Sequence, residues 1–490
     1  MLRFIKSSNY TIASAMFAIS SLLNITEAFS QPEKTQDQRI DSLFARYSPD
    51  TPGVAVGIVK NGDLIFSKGY GSANLEYGIP ITTKTVFHVA SVSKQFTAFA
   101  IYLLKDQGLI NLNDDVRKYL PKLPDYGNII RIRHLLAHTS GLRDQWALVT
   151  LAGWSLEDVI LTEQILKLVE RQNQLNFTPG SQFGYCNTGY TLLAQIVKKV
   201  TGLSLAEYTQ KHIFEPLGMN NTSFYDDFHG LVKNRAYSYE RKNGQYRKKK
   251  LNYSNVGPTS LLTTVEDLAK WSHNFETSVV GNKALFNEFN QISRLDNGKP
   301  TIFNIINKDT LFHAKGQIHR NYRGIQMRKH GGHDAGYRSF LSVFPEEQIS
   351  IITLSNDEHY EIFARGLDIA EFYLGNKMTP KKSEEQKLRS KTKEKKKEEI
   401  SLQPFVGSFH SHELSTTYHI KIQENQLVIS HQRLPNMRLT YKGPGKFSGN
   451  NYFDFEIDFK KNEDGTIIGF EISNFGIQKL PFEKISSTNH

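Results

Sequence analysis

A single cysteine, Cys186, in 490 residues excludes an intrachain disulfide, so the fold rests on its apolar core whatever the redox compartment. Long hydrophobic runs are also missing. The N-terminal stretch YTIASAMFAISSLL, Tyr10 to Leu23, is 14 residues, short of a comfortable membrane span. No long internal repeat argues for a solenoid. His330 and His333 lie close in sequence but have no matched third ligand, so neither a metal nor any other cofactor is expected. The net charge of +11 is not a nucleic-acid footprint. Lys233 to Lys250 carries +7 and Lys381 to Glu399 carries +4, which together are the whole excess. Neither run sits in a nucleic-acid-binding motif, and both read as solvated segments.

What is present begins with a charged start, Arg3 and Lys6, ahead of the short apolar run, and small residues at Ala28 and Ser30. That pattern predicts a secretory signal peptide over 1–30, cut after Ser30, with no transmembrane segment after cleavage and a secreted or periplasmic location. No cysteine lies near the cut, so a lipid anchor is not indicated.

Length and composition fit more than one domain. GVAVGIVKNGDLIFSKGYG, Gly53 to Gly71, predicts a β-hairpin turning at Asn61-Gly62. An amphipathic helix follows, opened by Ser91, with Phe96, Phe99, Ala100, Leu103 and Leu104 on one face. Helices are expected at Ile132 to Leu142, Thr191 to Gly202 and Thr263 to Phe275, and strands around Pro345. A last helix is expected near Leu367 to Leu374. The pattern implies an α/β (α+β) domain over 37–378, a mixed sheet built from both ends of the domain with helices inserted between. A charged linker is expected over 379–400. Alternating stretches such as YFDFEIDF predict a small all-β domain over 401–487, with no cluster that reads as catalytic.

The chemistry starts at FHVASVSKQF. A serine hydroxyl is a poor nucleophile and needs a base. Ser91 and Lys94 stand three apart, on one face of a helix, whereas Ser93 adjoins Lys94 and points away. Free N–H groups at a helix start suit an oxyanion, and a desolvated lysine has a lowered pKa. Ser-x-x-Lys alone is a weak motif, and Ser91 fits a helix cap as well. Two further stretches bear on it. In FGYCNTGY, Tyr185 and Asn187 lie two apart on an expected extended loop and face one cavity. Tyr185 would share a proton with Lys94 or Ser91, and Asn187 would bind a substrate amide or hold the lysine; Asn-Thr-Gly also reads as a plain turn. In KHGGHDAGYRS, Gly332 would let a substrate backbone approach an edge strand, and a glycine-rich hairpin end is the other reading.

Ser91-x-x-Lys94, Tyr185-x-Asn187 and His330-x-Gly332, in this order, resemble the three motifs of the serine β-lactamase and penicillin-binding protein superfamily. The flanking text is similar to its class C β-lactamase-like branch, which includes esterases and D-amino-acid peptidases. The resemblance spans roughly 37–376. It implies a mixed, mainly antiparallel sheet flanked by helices, plus a lipocalin-like C-terminal β domain. It implies Ser91 as acylated nucleophile, Lys94 and Tyr185 sharing the general-base role, and Asn187 on the substrate amide. His330, Gly332 and His333 would line the substrate site, with the N–H groups of Ser91 and His333 as oxyanion hole. The implied activity is hydrolysis of an amide or ester, such as a D-amino-acid peptide or small ester. The implied partner is a small molecule or short peptide, cell-wall-derived ones included, and not nucleic acid. An envelope peptidoglycan- or penicillin-binding protein with little turnover is the alternative. Two departures matter. His330 stands where the β-lactamases carry lysine, which weakens the case for a substrate carboxylate. Cys186 stands where serine is usual, as a buried filler or as a thiol that makes activity sensitive to alkylation.

Overall fold

The structure, a computed structural model, describes residues 34–380 and 400–485. The expected signal peptide and nearly all of the expected linker lie outside the described residues. Residues up to Leu43 form one unit and residues from Phe44 onward another.

The hairpin forms as its sequence demands. Val54–Lys60 and Asp63–Tyr70 pair antiparallel, and Asn61 and Gly62 both adopt positive φ, 52° and 88°. These strands join the far end of the domain, because Val54–Lys60 also pairs with Ile349–Ser355. The full antiparallel sheet runs Ile302–Ile306, Asp309–Ala314, Gln317–Tyr322, Ile325–Asp334, Tyr337–Phe344, Ile349–Ser355, Val54–Lys60, Asp63–Tyr70. Its central strands Tyr337–Phe344, Ile349–Ser355 and Val54–Lys60 are buried almost throughout because both faces are covered. A Cβ on Gly57 would touch Val265 of the helix Val265–Thr277, and a Cβ on Gly331 would touch Ile362 and Phe363 of the helix Ile362–Leu374 on the other side.

Two expectations are corrected. The helix Ser93–Asp106 does not present one apolar face: every residue from Ser93 to Leu104 is buried. It is packed among other helices, with the Phe96 ring 4.4 Å from Trp271 and the Phe99 ring 5.2 Å from Phe286. The three strands between Ile302 and Tyr322 were not foreseen. Ile302, Ile305 and Ile306 are exposed on an edge strand, so the alternation that marks a half-buried strand is absent there.

Beyond residue 400 lies a second antiparallel sheet of nine strands. Its two edge strands, Met437–Arg438 and Thr440–Gly443, are neighbours in the chain, so the sheet curls into a nearly closed barrel. Phe455, Ile457 and Phe459 alternate inward along one strand, and Phe470 stacks on Phe482 at 4.7 Å. The barrel packs on the inserted region. Arg143 and Glu413 form an ion pair with side chains 0% and 4% exposed. The Tyr418 hydroxyl donates to the Leu151 carbonyl at 2.9 Å, and Gly153 packs directly on the His431 ring. Among the described residues, no helix is long and apolar enough to cross a membrane.

Candidate active site

Ser91 does not sit on the α-helix. It lies in a 3₁₀ turn, Ala90–Val92, and the helix starts at Ser93. Residues three apart eclipse in a 3₁₀ turn, so the spacing still brings the partners together: Lys94 Nζ is 3.1 Å from Ser91 Oγ. Ala90 adopts φ 50°, a left-handed conformation that disfavours an L side chain by about 1 kcal/mol. Three contacts hold it there. Ala90 N–H donates to His88 Nδ1 at 3.2 Å, Ser93 Oγ donates to the Ala90 carbonyl, and Leu261 N–H donates back to Ser93 Oγ at 3.1 Å. The Ser93 hydroxyl is thus occupied by the turn, while Ser91 remains partly exposed.

Lys94 is fully buried. Its ammonium reaches Ser91 Oγ, Asn187 Oδ1 at 2.9 Å and the Pro258 carbonyl at 2.7 Å, all uncharged acceptors. Burial brings its pKa down to about 7, against the partial pull of the Asp144 and Asp334 carboxylates. A lysine in that state holds a neutral amine at near-neutral pH, in hydrogen-bond contact with a serine hydroxyl. Tyr185 hydrogen-bonds Ser91 as well, and burial raises its phenol above the ordinary range, so it stays protonated. Lys94 Nζ lies 5.0 Å from the centre of the Tyr185 ring.

Asn187 is not on an extended loop, and Asn187-Thr188-Gly189 is not a free turn. They open the helix Asn187–Thr201, capped by the extended Cys186. The helix places the Asn187 amide between two groups. Its Oδ1 accepts from Lys94, and its Nδ2 and backbone N–H donate to Asp144 Oδ2 at 2.8 and 2.7 Å. Cys186 is 3% exposed, its Sγ donates to the Leu142 carbonyl at 3.3 Å, and burial pushes the thiol up to about 12. That is an inert filler, the first of the two readings of Cys186, and not a thiol poised for alkylation.

His330, Gly332 and Asp334 alternate along one face of the strand Ile325–Asp334, with His330 and Asp334 both within electrostatic reach of Lys94. His333 is on the opposite face, exposed, its ring 6.2 Å from Phe363, so only its backbone belongs to the site edge. The neighbouring strand Gln317–Tyr322 pairs only as far as Lys329, and among the described residues the edge from His330 to Asp334 has no strand partner on that side. His330 donates from Nδ1 to the Gly331 carbonyl at 2.7 Å, and burial, then Lys94, lowers its pKa to about 3. It is a neutral imidazole at any working pH. Gly332 makes a close approach, but to the chain itself. A Cβ there would lie 2.2 Å from the Val89 carbonyl oxygen and 3.0 Å from the Ala90 Cβ. The glycine is required by the turn that carries Ser91.

Several residues of the site were not singled out from sequence. Asp144 is fully buried behind Asn187. Its place just before the helix Gln145–Leu151 is an N-cap signature, but nothing local told that the same carboxylate would meet Asn187. Asp334 accepts from Thr259 at 2.6 Å and from Tyr253. His88 and His138, the latter stacked 4.3 Å from Tyr185, brace the Ser91 turn and the Tyr185 loop. Among the described residues, no group of three or more His, Cys, Asp or Glu is arranged to hold a metal ion.

Comparisons with known proteins bear on the fold and the family. The fold resembles the octameric penicillin-binding protein homologue from Pyrococcus abyssi, with TM-score 0.59 and 23% identity, over 89% of this chain and 96% of that one. It also resembles the D-amino acid amidase from Ochrobactrum anthropi, with TM-score 0.59 and 20% identity, over 70% of this chain and 99% of that one. In sequence, the chain is 36% identical to penicillin-binding protein 4* of Bacillus subtilis over 168 residues, 34% of this chain and 37% of that protein. It is 27% identical to a D-aminopeptidase of Gluconobacter oxydans over 320 residues, 65% of this chain and 58% of that protein. The matches therefore span 37% and 58% of the length of these two relatives. The Beta-lactamase family model matches residues 37–373, which hold the Ser91 turn, the buried lysine and the His330 strand, and the chain belongs to that family.

Proposed function

We propose that this chain is a secreted serine hydrolase, with its hydrolase domain over 37–378 and its all-β domain over 401–487, that acylates Ser91 with an amide or ester substrate. One observation carries the reading. A fully buried lysine, its pKa brought to about 7, touches the hydroxyl of a partly exposed serine and, among the described residues, contacts no carboxylate. Lys94 in its neutral form takes the Ser91 proton as Oγ attacks the carbonyl carbon. The N–H groups of Ser91 and His333 would donate to the oxyanion. Tyr185 protonates the leaving nitrogen or oxygen, and Lys94 returns its proton to Tyr185, so the proton count closes. Water then attacks the acyl carbon and gives a proton to Lys94, which returns it to Ser91 Oγ as the ester C–O bond breaks, so the carboxylic acid leaves and the neutral amine is restored.

The neutral His330 offers no cation for a substrate carboxylate, which favours neutral esters and amides over β-lactams. Asp334 supplies a carboxylate on the same strand face, its side chain 20% exposed. That suits a free ammonium, and with D-aminopeptidases among the relatives it favours N-terminal D-amino-acid peptides and amides.

Intact mass after incubation with a fluorophosphonate tests the mechanism. A single adduct on Ser91 is expected, lost in Ser91→Ala and strongly slowed in Lys94→Ala. Folded protein that takes no adduct from any acylating probe would sink it. Turnover of D-alanine p-nitroanilide, its N-acetyl derivative, p-nitrophenyl acetate and nitrocefin then sorts the substrate, with the free amine expected to lead. A penicillin adduct that persists without turnover of any substrate would favour a binding role instead.

A further inference from the structure

The proposed mechanism uses Lys94 but leaves unexplained the carboxylate behind it. Lys94 donates to Asn187 Oδ1, and Asn187 donates twice to Asp144 Oδ2. The Asp144 backbone N–H in turn donates to the Gly476 carbonyl at 2.9 Å. Gly476 lies in the turn between the barrel strands Ile467–Asn474 and Ile477–Ile485. An unbroken chain of hydrogen bonds therefore runs from the C-terminal barrel to the lysine beside Ser91.

Both ends of that chain are tightly fixed. Asp144 Oδ1 accepts from the N–H groups of Trp146 and Ala147 at 2.9 and 3.5 Å, while Oδ2 accepts both Asn187 bonds. Every lone-pair direction of the carboxylate faces an N–H, which is the environment of an ionised group even though burial raises its pKa. It cannot rotate without uncapping the helix Gln145–Leu151. On the barrel side, the Gly476 carbonyl accepts a second bond from Asn176 Nδ2 at 3.0 Å, Gly476 N–H donates to Asn474 Oδ1 at 3.0 Å, and Gln478 N–H donates to Asn176 Oδ1 at 2.8 Å. Contact is as close as atoms allow: a Cβ on Gly476 would lie 2.5 Å from the Asp144 Cβ.

We infer that Asp144 is a positioning residue for Lys94, and that the turn Asn474–Ile477 of the C-terminal barrel holds it in place, which makes the barrel an integral part of the active site. The inference rests on Lys94 being the base in the reading above. The Asn187 amide bridges the two charged groups, so a displacement of Asp144 is transmitted to the oxygen that fixes Lys94 Nζ. The Asp144 charge also favours the protonated lysine, which opposes the effect of burial.

The test uses the full chain and the rate of fluorophosphonate labelling at Ser91 from pH 5.5 to 9. Gly476→Ala, which alters no group that touches substrate, is expected to slow labelling on the order of 10- to 100-fold, the loss that a shift of about 1 Å in a catalytic group produces. Asp144→Asn keeps the shape and removes the charge, so the rising limb of the rate profile should move to lower pH. Tyr418→Phe loses a different barrel contact, the bond to Leu151, and should label at the unaltered rate. Unaltered chain that takes no label overturns the hydrolase reading and this one with it. Labelling of the unaltered chain that Gly476→Ala leaves undiminished, that Tyr418→Phe slows equally, or whose pH limb Asp144→Asn leaves in place overturns this inference alone.

Discussion

Gly332 and Val89 are packed so closely that a methyl group on the glycine would stand 2.2 Å from the Val89 carbonyl oxygen. The strand that carries the third motif is thereby pressed against the turn that carries Ser91, and the Ser339 hydroxyl bonds the same carbonyl at 2.7 Å.

Gly332→Ala should therefore separate strand and turn. Overpacking of this kind destabilises by about 1–3 kcal/mol. The same shift moves the His333 N–H away from Ser91, so acylation should fall on the order of 10- to 100-fold. Urea unfolding and labelling kinetics measure the two effects separately, and a variant that labels normally would show that the contact is structural only.

The pH profile follows from Lys94. Below about 7 the lysine is protonated and cannot take the Ser91 proton; above it the amine is free. Acylation should rise through pH 7 and then level. His330 stays neutral throughout, since its own pKa is about 3, and should add no second limb. Stopped-flow rates with p-nitrophenyl acetate between pH 5.5 and 9 would reveal a flat profile if Lys94 were not the base. Lys94→Ala should lower the rate by about 10²–10⁴.

Cys186 should resist iodoacetamide in the folded chain and react fully once unfolded, because its thiol is buried and held protonated. Cys186→Ser retains a donor for the Leu142 carbonyl and should keep full activity. Mass spectrometry of native and urea-treated protein reads the first point, and labelling of Ser91 the second.

Glu413→Ala leaves the Arg143 guanidinium buried without its counter-charge, although Gln172 Oε1 still accepts from it at 2.9 Å. Breaking a buried pair by removing one partner typically destabilises by about 3–5 kcal/mol. A large drop in melting temperature is expected, with loosening between barrel and inserted region visible as faster amide exchange near residues 143–151. A drop within a degree would mean that solvent reaches the pair.

Much of the site could be read in the chain because its chemistry is local. Ser91 and Lys94 stand three apart, and that spacing brings hydroxyl and amine together in either type of helix, so mistaking a 3₁₀ turn for the start of the α-helix left the pair intact. The hairpin at Asn61-Gly62 was legible for the same reason: two residues tolerant of positive φ fix the turn and the register with it. The edge strand Ile302–Ile306 was not, since an exposed strand carries no alternation to read.

By itself the sequence determined the spacing that brings Ser91 and Lys94 together, the three motifs and a sheet built from both ends of the domain, because each depends on short spacings or on periodic burial. Tertiary structure alone decided what those residues touch. Asp144 reaches Asn187 across 43 residues, Gly476 reaches Asp144 from another sheet, and Lys94 is brought to a pKa of about 7 by burial. Long-range contact and desolvation are properties of the packed chain, and no local pattern encodes them.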